Sequence, residues 1–448
     1  MITIVLMGLA GMVIWIGGAY LFTMLAFGLR HLHRAGGKLG DQAELGYGRP
    51  HLGREDPFFV YFLVPCLNEE RVIGGTVTRL TGSASRVIVI DDGSEDATGA
   101  VAARAGGLDV TVLRRDLPDA RKGKGEALNA GLDLVRVMVA EAGQDPAHIL
   151  VCVMDADGHL SDGAVTQVTR EFADPQVGAV QLAVGIRNRD NFLTQIQDFH
   201  FWSLAAVSQF GRAAIGSVSL GGNGQFSRLT ALNEAGPKPW SASLTEDLDL
   251  TITLLLAGWK LMTSPGAAVC QQGVSRIKPL IKQRTRWYQG HMSCARRLPE
   301  IWRSPTISHA RAIELSLYLL VPWVLDLPWS ILWHVALLGF VVDTRSYFIT
   351  SQGTVFFALS IVLWYVVSFT PAMTSSVLQK LRHPETSWLR AILFGHSFLV
   401  MNYVFFLCAW KALYALASGR TGWDKTQREQ EQPAIAELPR KELAAAAS

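Results

Sequence analysis

The stretch from Met1 to Gly28 holds no charged residue. It is longer than the ~20 residues needed to cross a hydrocarbon core. It also lacks the basic start of a cleaved signal peptide, so a membrane span is expected there. The five cysteines (Cys66, Cys152, Cys270, Cys294 and Cys408) never stand at CxxC spacing. That excludes a disulfide framework and a zinc knuckle, and leaves buried, reduced thiols. A formal net charge of +3 provides no basic stripe, so no nucleic-acid partner is expected. The GxxxxGK[ST] phosphate loop is missing. So are the internal repeats of a transporter, and intramembrane charge is confined chiefly to Asp326. The chain itself has 448 residues, long for one domain. Its mean hydropathy of +0.22 excludes intrinsic disorder.

The apolar residues are concentrated at the two ends. After the first run come Arg30, His31, His33, Arg34 and Lys38. By the positive-inside rule these put the N-terminus outside and the middle of the chain in the cytoplasm. Residues 54–303 alternate β-rich runs (Phe58–Val64, Arg86–Ile90, His148–Met154) with helical stretches, the pattern of an α/β domain with a largely parallel sheet. Apolar character returns in Ala312–Val342, Thr354–Thr370 and Ala391–Leu416. The first of these is interrupted by Pro322, Asp326 and Pro328. The expectation is one span within residues 1–29 and about three within 311–417. That count leaves the C-terminus outside, although Arg420, Lys425 and Arg428 would favour the cytoplasm. Residues 418–448 read as a largely disordered tail.

The chemistry sits in the middle. A strand runs into Pro65-Cys66-Leu67-Asn68-Glu69-Glu70, and the next ends in Asp91-Asp92-Gly93-Ser94. In open α/β sheets, ligands bind at such carboxyl ends. Arg121-Lys122-Gly123-Lys124-Gly125 pairs lysines with glycines, which suits contact with phosphate. After the strand ILVCV come Asp155 and Asp157. At i and i+2 they can converge on one hard cation such as Mg2+, in keeping with a metal–diphosphate complex. Further on lie Gly221–Arg228 (GGNGQFSR), Thr245-Glu246-Asp247 and Gln283-Arg284-Thr285-Arg286-Trp287.

Taken together and in this order, PCLNEE, DDGS, GKGEALN, DAD, GGNGQFSR, TED and QRTRW resemble the membrane-integrated family-2 glycosyltransferases. That group includes the processive chitin-oligosaccharide, hyaluronan, cellulose and poly-N-acetylglucosamine synthases. The resemblance covers Phe58 to Trp287. It implies a GT-A α/β domain (a Rossmann-like mixed sheet) beside transmembrane helices, and a hexosyl- or N-acetylhexosaminyltransferase using a nucleotide-sugar, usually a UDP-sugar. By position, Pro65, Leu67, Asn68, Glu69, Asp91, Asp92, Lys124 and Asp155 are implied on the donor side. Asp155 and Asp157 match the metal motif, and Asp247 the catalytic base. Asn223, Gly224, Arg228, Glu246, Gln283, Arg286 and Trp287 fall at the acceptor and diphosphate. Leu67 stands where many members carry an aromatic residue that stacks on the base, which weakens the expectation of uracil. The resemblance leads to a β-linked polysaccharide made and passed through the chain's own spans, at a bacterial inner or plasma membrane. Homo-oligomerisation stays open. Ceramide glucosyltransferase-like enzymes share the pattern, so a glycolipid made on a membrane-lipid acceptor is the alternative. A non-catalytic transporter or scaffold is the third reading.

Overall fold

The computed structural model describes residues 2–34, 58–335 apart from Ser83, Leu338, and 351–420. The start of the expected catalytic domain (54–57), Lys38 and the tail from 421 lie outside the described residues.

An uncharged helix, α1 (Ile2–Arg34), opens the chain, with its basic residues confined to the C-terminal end. The catalytic region is built on β1 (Phe59–Cys66), β2 (Ser85–Asp91), β3 (Val110–Arg114), β4 (Ile149–Val153), β5 (His159–Leu160), β6 (Val177–Ile186), β7 (Gln225–Arg228) and β8 (Lys260–Gln271). These form one sheet in the order β3-β2-β1-β4-β7-β6-β8-β5. β3, β2, β1 and β4 run parallel, β7 runs antiparallel to both its neighbours, and β6 and β8 are again parallel. β1 reads as a continuous apolar run because both of its faces are covered. Val60, Phe62 and Val64 pack with Val72, Ile73 and Val77, while Tyr61 and Leu63 pack with Leu128 and Leu132. Register places Cys66 beside Asp91 and Leu63 beside Val153. The first, second and fourth motifs therefore emerge side by side at one edge.

Helices α2 (Ile73–Leu80), α3 (Thr98–Gly106), α4 (Lys124–Glu141) and α5 (Ala164–Glu171) complete the parallel half. Next, α6 (Phe192–Asp198) continues through a π-helical stretch, Phe199–Ala206, into α7 (Val207–Ile215). α8 (Leu229–Glu234), α9 (Glu246–Leu256), α10 (Ile277–Cys294) and α11 (Leu298–Arg303) come after it. α12 (His309–Leu320) runs on through a π turn, Val321–Asp326, to Val335. Pro322 and Asp326 thus widen the helix instead of ending it, a usual outcome for a local excess of one residue. α13 (Ser351–Arg382) and α14 (Trp388–Ala417) close the described chain. Among the described residues, two helices are long and apolar enough to cross a membrane by length and composition, His309–Val335 and Trp388–Ala417. Helices of 33 and 32 residues occupy the other two apolar runs. All five cysteines are free and buried, as expected.

Two glycines fix how α1 meets the catalytic region. A Cβ on Gly28 would lie 2.3 Å from the Val207 carbonyl oxygen, and one on Gly211 would lie 2.2 Å from that of Met24. The backbones of α1 and α7 touch there, as small residues permit.

Candidate active site

The strand ends and α4, α9 and α10 enclose a cavity of about 440 Å³. Pro65, Leu67, Glu69, Asp92, Lys124 and Asp155 line one end. Asn223, Glu246 and Asp247 line the middle, with Gln283, Arg286 and Trp287 beyond. Residues far apart in sequence thus meet around one space.

Lys124 links these groups. Its Nζ donates to Asp155 Oδ1 and to the Gly222 carbonyl, both at 2.7 Å, and lies 3.9 Å from Glu246 Oε1. Burial works against its charge, but Asp155 and Glu246 raise its pKa above the ordinary lysine value. Glu246 and Asp247 open α9, where backbone N–H groups favour carboxylates. Asp247 Oδ1 accepts from the Leu248 amide at 2.7 Å. Burial nevertheless pushes both acids up. Glu246 reaches about 7, with the adjacent Asp247 adding to burial and Lys124 opposing it. Asp247 rises mainly through burial, against the pull of Lys124. A carboxylate held more basic than usual, beside a lysine that favours its ionised form, can take a proton from a hydroxyl.

The motif around Asn68 works as a brace. Asn68 has φ +54°. Its Oδ1 accepts the Glu95 amide at 2.8 Å, and its own amide donates to Ser94 Oγ at 2.9 Å. Asp91 accepts the Ser94 amide at 2.9 Å and pairs with Arg114 at 2.7 Å. Burial alone would raise its carboxyl, but Ser94 and Arg114 outweigh that and hold it below the usual range. Neither Asn68 nor Asp91 is among the residues that line the cavity, and both brace the loop beside it. Asp92 does line it, paired with Arg115 and accepting the Arg121 amide at 3.0 Å.

Three further expectations change. Arg228 does not reach the acceptor side. Its guanidinium donates to the carbonyls of Val177, Ala147, Phe172 and Asp174, and lies over the Phe58 and Phe172 rings. The cause is its place in β7, whose alternation turns Arg228 under the sheet. Gly224, at φ +68°, donates its amide to the Val153 carbonyl and joins β4 to β7 without lining the cavity. Asp157 is wholly buried, with Oδ2 accepting the Gln272 amide at 2.7 Å. Only Asp155 of that motif faces the cavity.

Sequence reading named Asn223 for the acceptor side but missed its bracing bonds, and it missed Gln181 and Gln209 altogether. Asn223 Oδ1 accepts the Asp155 amide at 3.1 Å, and its Nδ2 donates to Gln271 Oε1 at 2.9 Å. Gln181 Nε2 donates to the Asn223 carbonyl at 2.9 Å, while its Oε1 accepts the Gly221 amide at 2.6 Å. Asn129, in the GKGEALN run, clasps the Trp240 backbone from both sides at 2.8 and 3.2 Å. Gln209 does the same for Ser219, and Phe201, His291 and Tyr318 line the far end. A lone Gln inside an apolar strand was the one available signal, at Gln181.

The donor chemistry of the cleft suits a hard divalent cation that arrives with a diphosphate. Asp155 offers carboxylate oxygens to the cavity. Mg2+ and Mn2+ sites of this kind take one or two carboxylates and complete their shell with phosphate and water. Among the described residues no group of three or more His, Cys, Asp or Glu could form a closed cage. The residues present therefore fit a metal–diphosphate complex.

A half-parallel sheet whose cleft lies over the strand ends is the fold of the GT-A-like glycosyltransferases. Over half of the chain, residues 57–290, matches the family described as Glycosyltransferase like family 2, and the chain belongs to that family. A beta-monoglucosyldiacylglycerol synthase from Synechocystis sp. is 31% identical over 280 residues, covering 59% of this chain and 54% of that protein. A poly-beta-1,6-N-acetyl-D-glucosamine synthase from Staphylococcus epidermidis is 26% identical over 333 residues, covering 70% of this chain and 74% of that one. The chain spans about half the length of the glycolipid-synthase relatives it matches. A solved mannosyltransferase from Pyrobaculum calidifontis, in complex with GDP-Man and Mn2+, shares the fold. Its TM-score is 0.53 at 18% identity, covering 91% of this chain and 99% of that one.

Proposed function

We propose that the chain transfers a hexosyl or N-acetylhexosaminyl group, with inversion, from a nucleotide-diphosphate sugar to a lipid hydroxyl at the cytoplasmic face of a bacterial plasma membrane. The observation that carries this is Asp247, made basic by burial and facing Lys124 and Asp155 across one cavity. The acceptor oxygen attacks the anomeric carbon and its proton passes to the Asp247 carboxylate. The bond from the anomeric carbon to the diphosphate oxygen breaks, and the diphosphate leaves with the electron pair. Lys124 and Arg286 supply fixed positive charge where that negative charge develops. Asp155 would hold Mg2+ or Mn2+, which supplies Lewis acidity to the leaving diphosphate. Asp92 and Leu67 would meet the nucleoside, with Leu67 packing on the base.

A lipid acceptor is favoured by the apolar residues at the far end of the cavity, Phe201, Ala205, Ala206 and Tyr318. The relatives that are 31–34% identical are glycolipid synthases by name. A growing β-linked polysaccharide is the second reading. It is favoured by Trp287 on the cavity wall and by the longer coverage of the poly-N-acetylglucosamine synthase match.

The test is to incubate membranes containing the chain with radiolabelled UDP- and GDP-sugars, extract with organic solvent and weigh the products by mass spectrometry. Label in the organic phase as a single sugar on lipid is the expected result. Label in a water-soluble polymer selects the second reading, and no transfer from any donor overturns both.

A further inference from the structure

Arg284 is the charged residue of the QRTRW run to which the proposed reaction assigns nothing. It lines the cavity at the end away from Asp92. Its guanidinium carbon lies 4.8 Å from the centre of the Phe201 ring and 4.4 Å from that of Trp287. Its Nε is buried with no hydrogen-bond partner, and among the described residues no carboxylate pairs with it. The buried Arg212 and Arg382 have carboxylate partners, Glu314 and Asp198, and the buried Arg228 is held by backbone carbonyls. The neighbouring acid, Asp326, is engaged by the Tyr288 hydroxyl.

Burial lowers Arg284 only to about 10, so it keeps its charge at neutral pH. His200, pushed down to about 3 by burial and by that charge, is neutral beside it. A desolvated cation without an anion opposes folding. The Phe201 and Trp287 rings stand at 75° to each other and wall the guanidinium on two sides, so an anion would have to reach it from the cavity.

That anion is not the donor diphosphate. Arg286, two positions on, acts on Glu246. Residues two apart on a helix do not face the same side, and the charge of Arg284 is felt by His200 and Tyr288 instead. Its surroundings are those of the candidate membrane helix α14. Phe405 of that helix lies 5.5 Å from the His200 ring and 6.5 Å from the Tyr288 ring, centre to centre. Cys408 Sγ donates to the Ile281 carbonyl at 3.5 Å.

We infer that the membrane-side end of the cavity is a phosphate subsite, with Arg284 as its binding cation, for a lipid whose headgroup carries phosphate beside a hydroxyl. That the lipid is the glycosyl acceptor rests on the transfer proposed above; that it binds does not.

The full chain, in phosphatidylcholine nanodiscs, is titrated calorimetrically with short-chain phosphatidylglycerol, short-chain diacylglycerol and inorganic phosphate. UDP and GDP serve as donor-side controls. Phosphatidylglycerol is expected to bind about tenfold or more tighter than either other probe, as one charge-assisted contact allows. Arg284→Gln should lose that advantage, Arg284→Lys should keep only the part that needs charge alone, and nucleotide binding should be unchanged in both. Three results overturn the inference. One is phosphatidylglycerol binding that survives Arg284→Gln. Another is a parallel loss of nucleotide binding, which would put Arg284 at the donor or in the fold. The third is inorganic phosphate binding as tightly as the lipid, which would make the site one for a free ion. These are binding measurements, so they read out even if no sugar is transferred. If they succeed and transfer is absent, it is the proposed reaction that fails.

Discussion

Asp247 answers two opposing demands. In the proposed reaction it must be ionised to accept a proton, yet burial favours its neutral form. Glu246 beside it is pushed up to about 7, and two carboxyls so close titrate as a pair. Because the working form is the ionised one, kcat/KM should begin to fall with decreasing pH while still above the ordinary carboxylate range, since burial raises Asp247. A pH–rate profile checks this, and an acid limb down in the ordinary carboxylate range would contradict it. Stability should run the other way. Between the ordinary Glu value of 4.5 and about 7 the folded chain binds more protons at Glu246 than the unfolded chain does. Unfolding free energy therefore decreases as pH rises through that window. Asp247→Asn should lower transfer by ~10²–10⁴-fold, the usual worth of a general base, with nucleotide binding nearly intact by calorimetry. At this scale the sequence was most legible where a residue's type is its chemistry, as with Lys124, Asp155 and Asp247. It was least legible where a polar residue serves another loop. Asn68, Asp91 and Arg228 look like ligand residues in a motif, but partners far away in sequence decide their orientation.

Helix α4 shows the contribution of a single element. Its Gly125 faces the loop that leads to Thr245, and a Cβ there would lie 2.2 Å from the Ser241 carbonyl oxygen. Alanine would gain up to about 1 kcal/mol in helix propensity. The overlap with backbone outweighs that gain, because neither side can move without displacing Trp240, which Asn129 clasps. Gly125→Ala should therefore shift the Ser241–Asp247 segment and lower kcat/KM by roughly 10²-fold, the scale of a ~1 Å misplacement at a reacting centre. Steady-state kinetics, with circular dichroism to show an intact fold, tests this. The strands β1, β2 and β4 were readable from apolar runs that end in polar turns. The antiparallel β7 was not, since four residues, QFSR, carry no period of their own and pair only because β4 and β6 flank them. The π-helical passages at Phe199–Ala206 and Val321–Asp326 likewise left no mark that a helical period could reveal.

Across the whole molecule, one buried knot joins the helices at both ends of the chain to the catalytic sheet. Arg212 of α7 pairs with Glu314 of α12 at 2.8 Å, and Tyr20 of α1 donates to the same carboxylate at 2.9 Å. Arg212 also donates to Ser219 on the cavity wall at 2.8 Å and lies 3.7 Å over the Tyr318 ring. Arg212→Met would strand Glu314 and should cost about 3–5 kcal/mol, read as a fall in thermal midpoint in detergent. Adding Glu314→Leu should restore much of that stability without restoring full activity, since Ser219 would keep only the Gln209 donor and lose that of Arg212. No window of sequence shows such a knot. Tyr20, Arg212 and Glu314 are separated by long intervals, and each alone looks like an ordinary helix residue. Because Tyr20 and Glu314 belong to apolar helices and Ser219 to the cavity, the floor of the cavity cannot rise or sink independently of those helices. In the proposed transfer the site would therefore act as a ruler set against the lipid surface, and hydroxyls standing too high or too deep would not meet Asp247.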